Sequence, residues 1–148
     1  MRPARVVIAC LLVLLGLCLA PPANAGDARG RMIERINDVR THNGLRPLRS
    51  APGLARSSSN FSHYLMKRDA FGHGNGVSAS GFRSLGEALA LHFGFRPKIG
   101  GTVRRWLASS SHRAVILKPS ANWIGVGMAQ GRFRGSRATI WVLQVGRR

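Results

Sequence analysis

Between residues 29 and 43 the apolar side chains Met32, Ile33, Ile36 and Val39 recur at helical spacing, and the pattern stops at Asn43-Gly44. This spacing predicts an amphipathic helix with one buried stripe. Leu45-Arg46-Pro47-Leu48 follows as a short extended link, and Ser50 with Pro52 supplies a cap and a first-turn proline for a second helix. The inward residues expected on that helix are Leu54, Ala55, Phe61, Tyr64 and Leu65. From 72 to 86 glycine and serine dominate, so this stretch reads as an irregular loop, either functional or a plain linker. Beyond it, 87–92 is short and apolar. Thr102 stands where it would cap a helix carrying Val103, Trp106 and Leu107, and the serines at 109–111 can cap a further turn through Leu117 that Pro119 stops. Residues 123–129 and 137–145 are β-rich and flank a loop at 130–136, which predicts two antiparallel strands. Helices first and strands last point to an α+β layered domain in which helices cover a small antiparallel sheet.

The N-terminus changes the picture of where the protein works. Arg2 and Arg5 precede an apolar run at 6–20, and Ala23-Asn24-Ala25 matches an A-x-A cleavage site. The run is shorter than the ~20 residues a spanning helix needs. Residues 1–25 are therefore expected to be a cleaved export signal and 26–148 a single mature domain with no transmembrane segment, secreted or held in the cell envelope. A lipoprotein signal fits poorly, because Leu17 precedes Cys18 where a small residue is wanted. Both cysteines, Cys10 and Cys18, fall in the removed segment, which leaves no disulfide, thiolate metal site or Cys nucleophile in the mature chain.

Charge narrows the partners. The 148 residues hold 23 Lys+Arg against 5 Asp+Glu. Loss of Arg2 and Arg5 leaves 21 basic residues against 5 acidic ones, a mature charge of +16. Such a surface attracts polyanions. Anionic envelope polymer, lipid or glycan is the expected partner of a monomeric domain, and a merely solvated cationic face is the bland alternative. No helix concentrates arginine on one face with interleaved aromatics, which argues against specific nucleic-acid binding.

Nucleotide fingerprints are missing: there is no G-x-x-x-x-G-K-[ST], and Gly125-Val126-Gly127 lacks the third glycine of a dinucleotide loop. Gly76-Val77-Ser78-Ala79-Ser80 lacks the closing glycine of a nucleophile elbow. Of the five acidic residues, Glu87 stands out because its neighbours Leu85, Ala88 and Leu89 are apolar, so its carboxylate must be paired, hydrogen-bonded or neutral. It is a structural carboxylate or a chemical one. Five histidines, His42, His63, His73, His92 and His112, form no H-E-x-x-H pair, and any metal site would have to be assembled from separate segments. His73, in the glycine-rich loop, is the most accessible of them, whereas His112 could simply brace its own turn.

Taken together, several segments resemble the bacterial secreted branch of the CAP superfamily, which contains the cysteine-rich secretory and pathogenesis-related proteins. Asn37-Asp38-Val39-Arg40 is similar to its N-x-x-R, Gly44-Leu45-Arg46-Pro47-Leu48 to its G-L-x-P-L, and Pro52-Gly53-Leu54-Ala55 to its P-x-L-A. Phe71-Gly72-His73 resembles F-S-H, Gly86-Glu87 resembles G-E-N, and Ser109 through Leu117 with Trp106 resembles W-x-x-S-x-x-H-R-x-x-I-L. Ile124-Gly125-Val126-Gly127 and Gln144-Val145 match its closing strands.

The resemblance implies a three-layer α-β-α sandwich and a shallow cleft whose His and Glu side chains hold a divalent metal such as zinc or calcium in some members. It carries His73 and Glu87 over as the cleft pair, with His73 as metal ligand, and His112 as the family's recurring H-R histidine with a structural role; His112 and Trp141 are in addition candidate binding residues beside the pair. Ala88 stands where the family has Asn, the spacing from His73 to Glu87 is short, and Trp141 replaces a second imidazole, which removes a ligand. The implied function is an extracellular binding module. The alternative is a weak hydrolase in which Glu87 activates a water on a metal held by His73.

Overall fold

The computed structural model describes residues 25–74, 79 and 81–148. The expected signal, apart from Ala25, lies outside these residues together with Cys10 and Cys18, as does the Gly76 to Ser80 segment apart from Ala79. Helix α1 (Ala25–His42) begins a turn earlier than its apolar spacing predicts. Met32 and Ile36 are fully buried, with Ile33 and Val39 packed at the margin of the same core. The helix ends through Gly44, whose φ of +72° allows the N–H groups of Gly44 and Leu45 to reach back to the carbonyls of Thr41 and Arg40.

Two polar residues of α1 fasten the link that follows. Asn37 donates through Nδ2 to the Leu48 carbonyl at 3.0 Å and accepts the Leu48 N–H on Oδ1 at 2.8 Å. Arg40, only 1% exposed, donates through Nε to the carbonyl of Arg46 at 3.0 Å and through Nη1 to those of Ile116 at 2.7 Å and Lys118 at 3.1 Å. Its Nη2 reaches the Ala121 carbonyl at 3.4 Å. Burial pushes this guanidinium below its ordinary value, and carbonyl oxygens replace the water it has lost.

Leu48 leads into β1 (Arg49–Ser50), a two-residue strand that pairs in parallel with β3 (Trp123–Phe133). Ser50 is thus a strand residue and not a helix cap. Helix α2 (Pro52–Lys67) starts after Ala51 with no side-chain cap, its proline in the first turn as expected. Leu54 and Leu65 point inward, but Tyr64 is 55% exposed, and Ser58 and Ser62 are buried in its stead. The cause lies on the sheet: a Cβ added at Gly127 would sit 2.1 Å from the Ser58 carbonyl oxygen, and one at Gly125 would sit 2.2 Å from the Leu54 carbonyl carbon. Helix backbone touches strand backbone here, so only small residues fit the seam. Ser58 Oγ uses the proximity to donate to the Gly125 carbonyl at 3.2 Å.

The apolar stretch at 87–92 belongs to β2 (Arg83–Phe93), irregular in register between Arg83 and Gly86. Helix α3 (Ile99–Ala108) begins after Lys98, so Thr102 is an interior, buried residue of the helix and caps nothing. Helix α4 (Ser110–Ile116) follows directly with Ser109 as its flanking residue. Strands β3 and β4 (Ser136–Arg147) extend well beyond the predicted limits and meet in a two-residue turn, Arg134-Gly135, with φ of 47° and 80°. Both positive values suit the tight hairpin turn whose twist matches the strands.

The sheet order is β1-β3-β4-β2: the expected antiparallel sheet is formed by β3, β4 and β2, and the short β1 adds to its edge in parallel. Side chains alternate across it. Ala88, Ala90, Ile124, Val126, Trp141, Leu143 and Val145 pack against α1, α3 and α4, whereas Leu89, Leu91, Ile140 and Val142 pack against α2. The result is an α+β fold in three layers, α-β-α.

Candidate functional site

Strand alternation decides which way Glu87 points. It shares the parity of Leu89 and Leu91, so its carboxylate lies on the α2 side of the sheet, opposite Gln144 in the β2–β4 register. Its side chain is 4% exposed. His73, on the segment that leaves α2, covers it: the ring Nδ1–H donates to Glu87 Oε1 at 2.9 Å, with the His73 side chain 57% exposed. Gln144 Nε2 donates to Glu87 Oε2 at 3.1 Å, and its own Oε1 is buried without a partner among the described residues. Both oxygens of the carboxylate are therefore engaged by side chains. With Nδ1 committed to Glu87, the Nε2 edge of the His73 ring is the one left for a ligand.

His112, from α4, brings its ring centroid to 6.3 Å from that of His73, tilted by 39°. Burial first, and the nearby His73 second, push the His112 imidazole below its ordinary value, which favours the neutral ring. Trp141 is not part of this group. It is fully buried on the opposite face of the sheet, and its Nε1–H has no partner among the described residues. The structure thus brings His73, Glu87 and His112 together and leaves Trp141 in the core. Gln144 is the member that residue-by-residue reading passed over; its signal was the two-residue period of β4, which sets it on the face of Glu87.

Beside the pair lies a shallow hollow of about 330 Å³ bounded by Phe61, Tyr64, Phe71 and His73, with the Phe61 and Tyr64 rings stacked at 6.2 Å. As a metal centre the arrangement is deficient. A catalytic zinc takes three protein donors and a structural one takes four, but no three His, Cys, Asp or Glu side chains converge on a common point among the described residues. His73 and Glu87 spend a donor and an acceptor on each other, and Trp141, on the opposite face of the sheet, adds no donor to them. These residues do not fit a divalent metal.

The model of the cysteine-rich secretory protein family, CAP, matches residues 33–145. The chain belongs to the CAP family. Solved structures agree on the fold. An outer surface protein of Borrelia burgdorferi superposes with a TM-score of 0.69 at 18% identity, covering 84% of this chain and 96% of that one. A Bacillus anthracis extracellular protein with an SCP domain gives 0.66 at 16% identity, over 87% of this chain and 45% of its own longer chain. The Schistosoma mansoni venom allergen-like protein 4 gives 0.63 at 15% identity, over 82% and 90%. Comparison with curated protein sequences finds no match. No helix among the described residues of this CAP domain is long and apolar enough to cross a membrane.

Proposed function

We propose that this CAP domain is exported by its N-terminal signal, cleaved after Ala25, and acts at the cell envelope or outside the cell as a binding module. Its arginine-rich surface recruits an anionic lipid, glycan or polymer, and the His73–Glu87 cleft supplies the selectivity. The observation that carries this reading is the imbalance of 21 basic to 5 acidic residues after Ala25, which charge pairing inside the domain cannot absorb. The leader-like residues 1–25 support export, and the outer-surface and extracellular relatives support the same compartment. A metal-assisted hydrolase using His73 and Glu87 has no matching support, because both Glu87 oxygens are occupied and a metal donor set is lacking.

The test has two parts. Expression of the full chain in a bacterium with mass measurement of the product should yield a protein starting at Gly26 outside the cytoplasm. That protein should sediment with anionic vesicles or acidic polymers in low salt and dissociate steeply as salt rises. A cytoplasmic product with an intact N-terminus would overturn export, and binding that is absent or indifferent to salt would overturn the electrostatic module.

A further inference from the structure

One end of the sheet gathers arginines that the fold itself does not use. In register order across the strands, Arg49 of β1 lies beside Trp123 of β3, which faces Gly146 of β4, and Arg147 of β4 lies beside Arg83 of β2. Arg49 and Arg148 both stack on the Trp123 ring, at 5.5 and 4.8 Å from its centroid, and Arg148 also lies 5.0 Å from that of Phe82. Arg46 joins them from the link after α1. Arg46, Arg49 and Arg147 rim a hollow of about 760 Å³ walled by Pro47, Pro119 and Asn122. All five arginines are exposed. Among the described residues none of their guanidinium groups has a hydrogen-bonded or ion-paired partner.

Like charges brought this close repel one another, and among the described residues no Asp or Glu side chain is paired with them, so the free protein is relieved when an anion arrives. Stacking on Trp123 and Phe82 fixes the planes of Arg49 and Arg148 while leaving their N–H edges available. The walls are fixed too. Arg40 ties the backbone of Arg46 on one side to that of Ile116, Lys118 and Ala121 on the other, and adds a buried positive charge behind them. The hollow is therefore preorganised and does not need to be folded around its ligand.

We infer that this sheet end is a docking site for a polymer carrying closely spaced phosphate groups; the inference rests on the anionic partner proposed above and gives it a place and a chemistry. A carboxylate is filled by one guanidinium fork, whereas a phosphate presents oxygens on several sides and can bridge neighbouring arginines. The row from Arg49 to Arg83 crosses three strand spacings, about 14 Å, which is enough for successive phosphates of one chain. A recessed hollow admits a flexible chain where a flat bilayer surface cannot enter.

The test measures binding of inorganic polyphosphate to the purified protein across a salt series, with polyglutamate and phosphatidylglycerol vesicles in parallel. The variant R49Q/R147Q/R148Q is compared with K98Q/R104Q/R105Q, which removes equal charge from α3. The sheet-end variant should lose at least about tenfold in polyphosphate affinity, and its salt slope should fall by roughly 2, at ~0.7 per lost contact. The α3 variant should lose less than about threefold. Should the triple variant fail to fold, R147Q alone, whose side chain has no hydrogen-bond or ion-pair partner among the described residues, should lose about two- to fourfold. Equal losses in the two variants would overturn the site and leave the cationic module standing; no polyanion binding by wild type would end both. Polyglutamate binding as tightly as polyphosphate, or vesicles binding more tightly through these same arginines, would overturn the phosphate polymer.

Discussion

Substituting Gly127→Ala adds one methyl group where α2 and β3 press backbone on backbone. Its Cβ would stand 2.1 Å from the Ser58 carbonyl oxygen, 2.2 Å from the Ser58 carbonyl carbon and 2.5 Å from the Ser59 nitrogen, where ordinary contact begins at 3.4 Å. All three are backbone atoms in the middle of α2, so no rotamer change relieves the clash and the helix must lift by more than an ångström. Overpacking of a well-filled core costs about 1–3 kcal/mol where neighbours can adjust. Here the displacement also reaches Leu54 and Leu65, at 0% and 3% exposure, and a gap of 0.5–1 Å already forfeits roughly a quarter to a half of each dispersion contact. The expected loss is about 3–5 kcal/mol, a large part of the ~5–15 kcal/mol that holds a typical domain. Urea unfolding followed by circular dichroism measures it. Gly131→Ala is the internal comparison: its Cβ meets only the flexible end of Met66, at 3.0 and 3.3 Å, and should cost less than about 1 kcal/mol. If Gly127→Ala unfolds within about 1 kcal/mol of wild type, or no more easily than Gly131→Ala, then α2 does not rest on the strand glycines and the seam is misread.

Arg40→Met should destabilise the domain by about 3 kcal/mol in the same assay, since the recovered desolvation cost of the charge only partly offsets the carbonyls of Arg46, Ile116 and Ala121 left without this donor, that of Lys118 keeping the Ala121 N–H. Thr139→Val removes a buried hydroxyl that donates to the Gly94 carbonyl at 2.8 Å, and should cost about 1–2 kcal/mol by urea titration. Burial holds His92 and His112 below their ordinary value of 6.5, with Lys98 and Arg105 adding to the effect at His92 against the Phe93 carbonyl, and His73 adding to it at His112. The unfolded chain then binds more protons than the folded one just below pH 6.5, so stability is full above that pH and declines as the pH falls through the lower folded values. Unfolding midpoints measured at several pH values should show this decline, and His92→Leu should flatten it.

The layered α+β plan and its helix and strand segments were legible because long periodic runs such as 29–43 and 137–145 carry their own pattern. What escaped was set by tertiary contact. Tyr64 falls on the periodic stripe of α2 yet points to solvent, because that helix presses its backbone onto Gly125 and Gly127 and needs serine, not a ring, at the seam. The two-residue strand β1 has no periodicity to read and exists only because β3 offers it a partner. Thr102 and Ser50 have the chemistry of caps, but the helices begin elsewhere, where burial and pairing place them. In the candidate site His73 and Glu87 were legible from residue type and local setting, and the structure seats them 2.9 Å apart. Gln144 and the buried position of Trp141 follow from strand parity in a pairing register that a single sequence does not state.

The use made of the few acidic residues explains why the cationic excess faces outward. Asp69 accepts the Arg134 N–H at 2.7 Å and so braces the β3–β4 turn. Glu87 is shared between His73 and Gln144. Asp38 reaches Arg35 only at 3.9 Å with both side chains largely exposed, a contact of little energetic worth. These three carboxylates neutralise few of the arginines, and the one deeply buried guanidinium among the described residues, Arg40, is solvated by carbonyls. On the proposed reading, meeting the field that remains is the task of an anionic partner. The fold contributes geometry to that task at one place above others, the sheet end where Arg40 holds the walls and Trp123 and Phe82 hold the guanidinium planes.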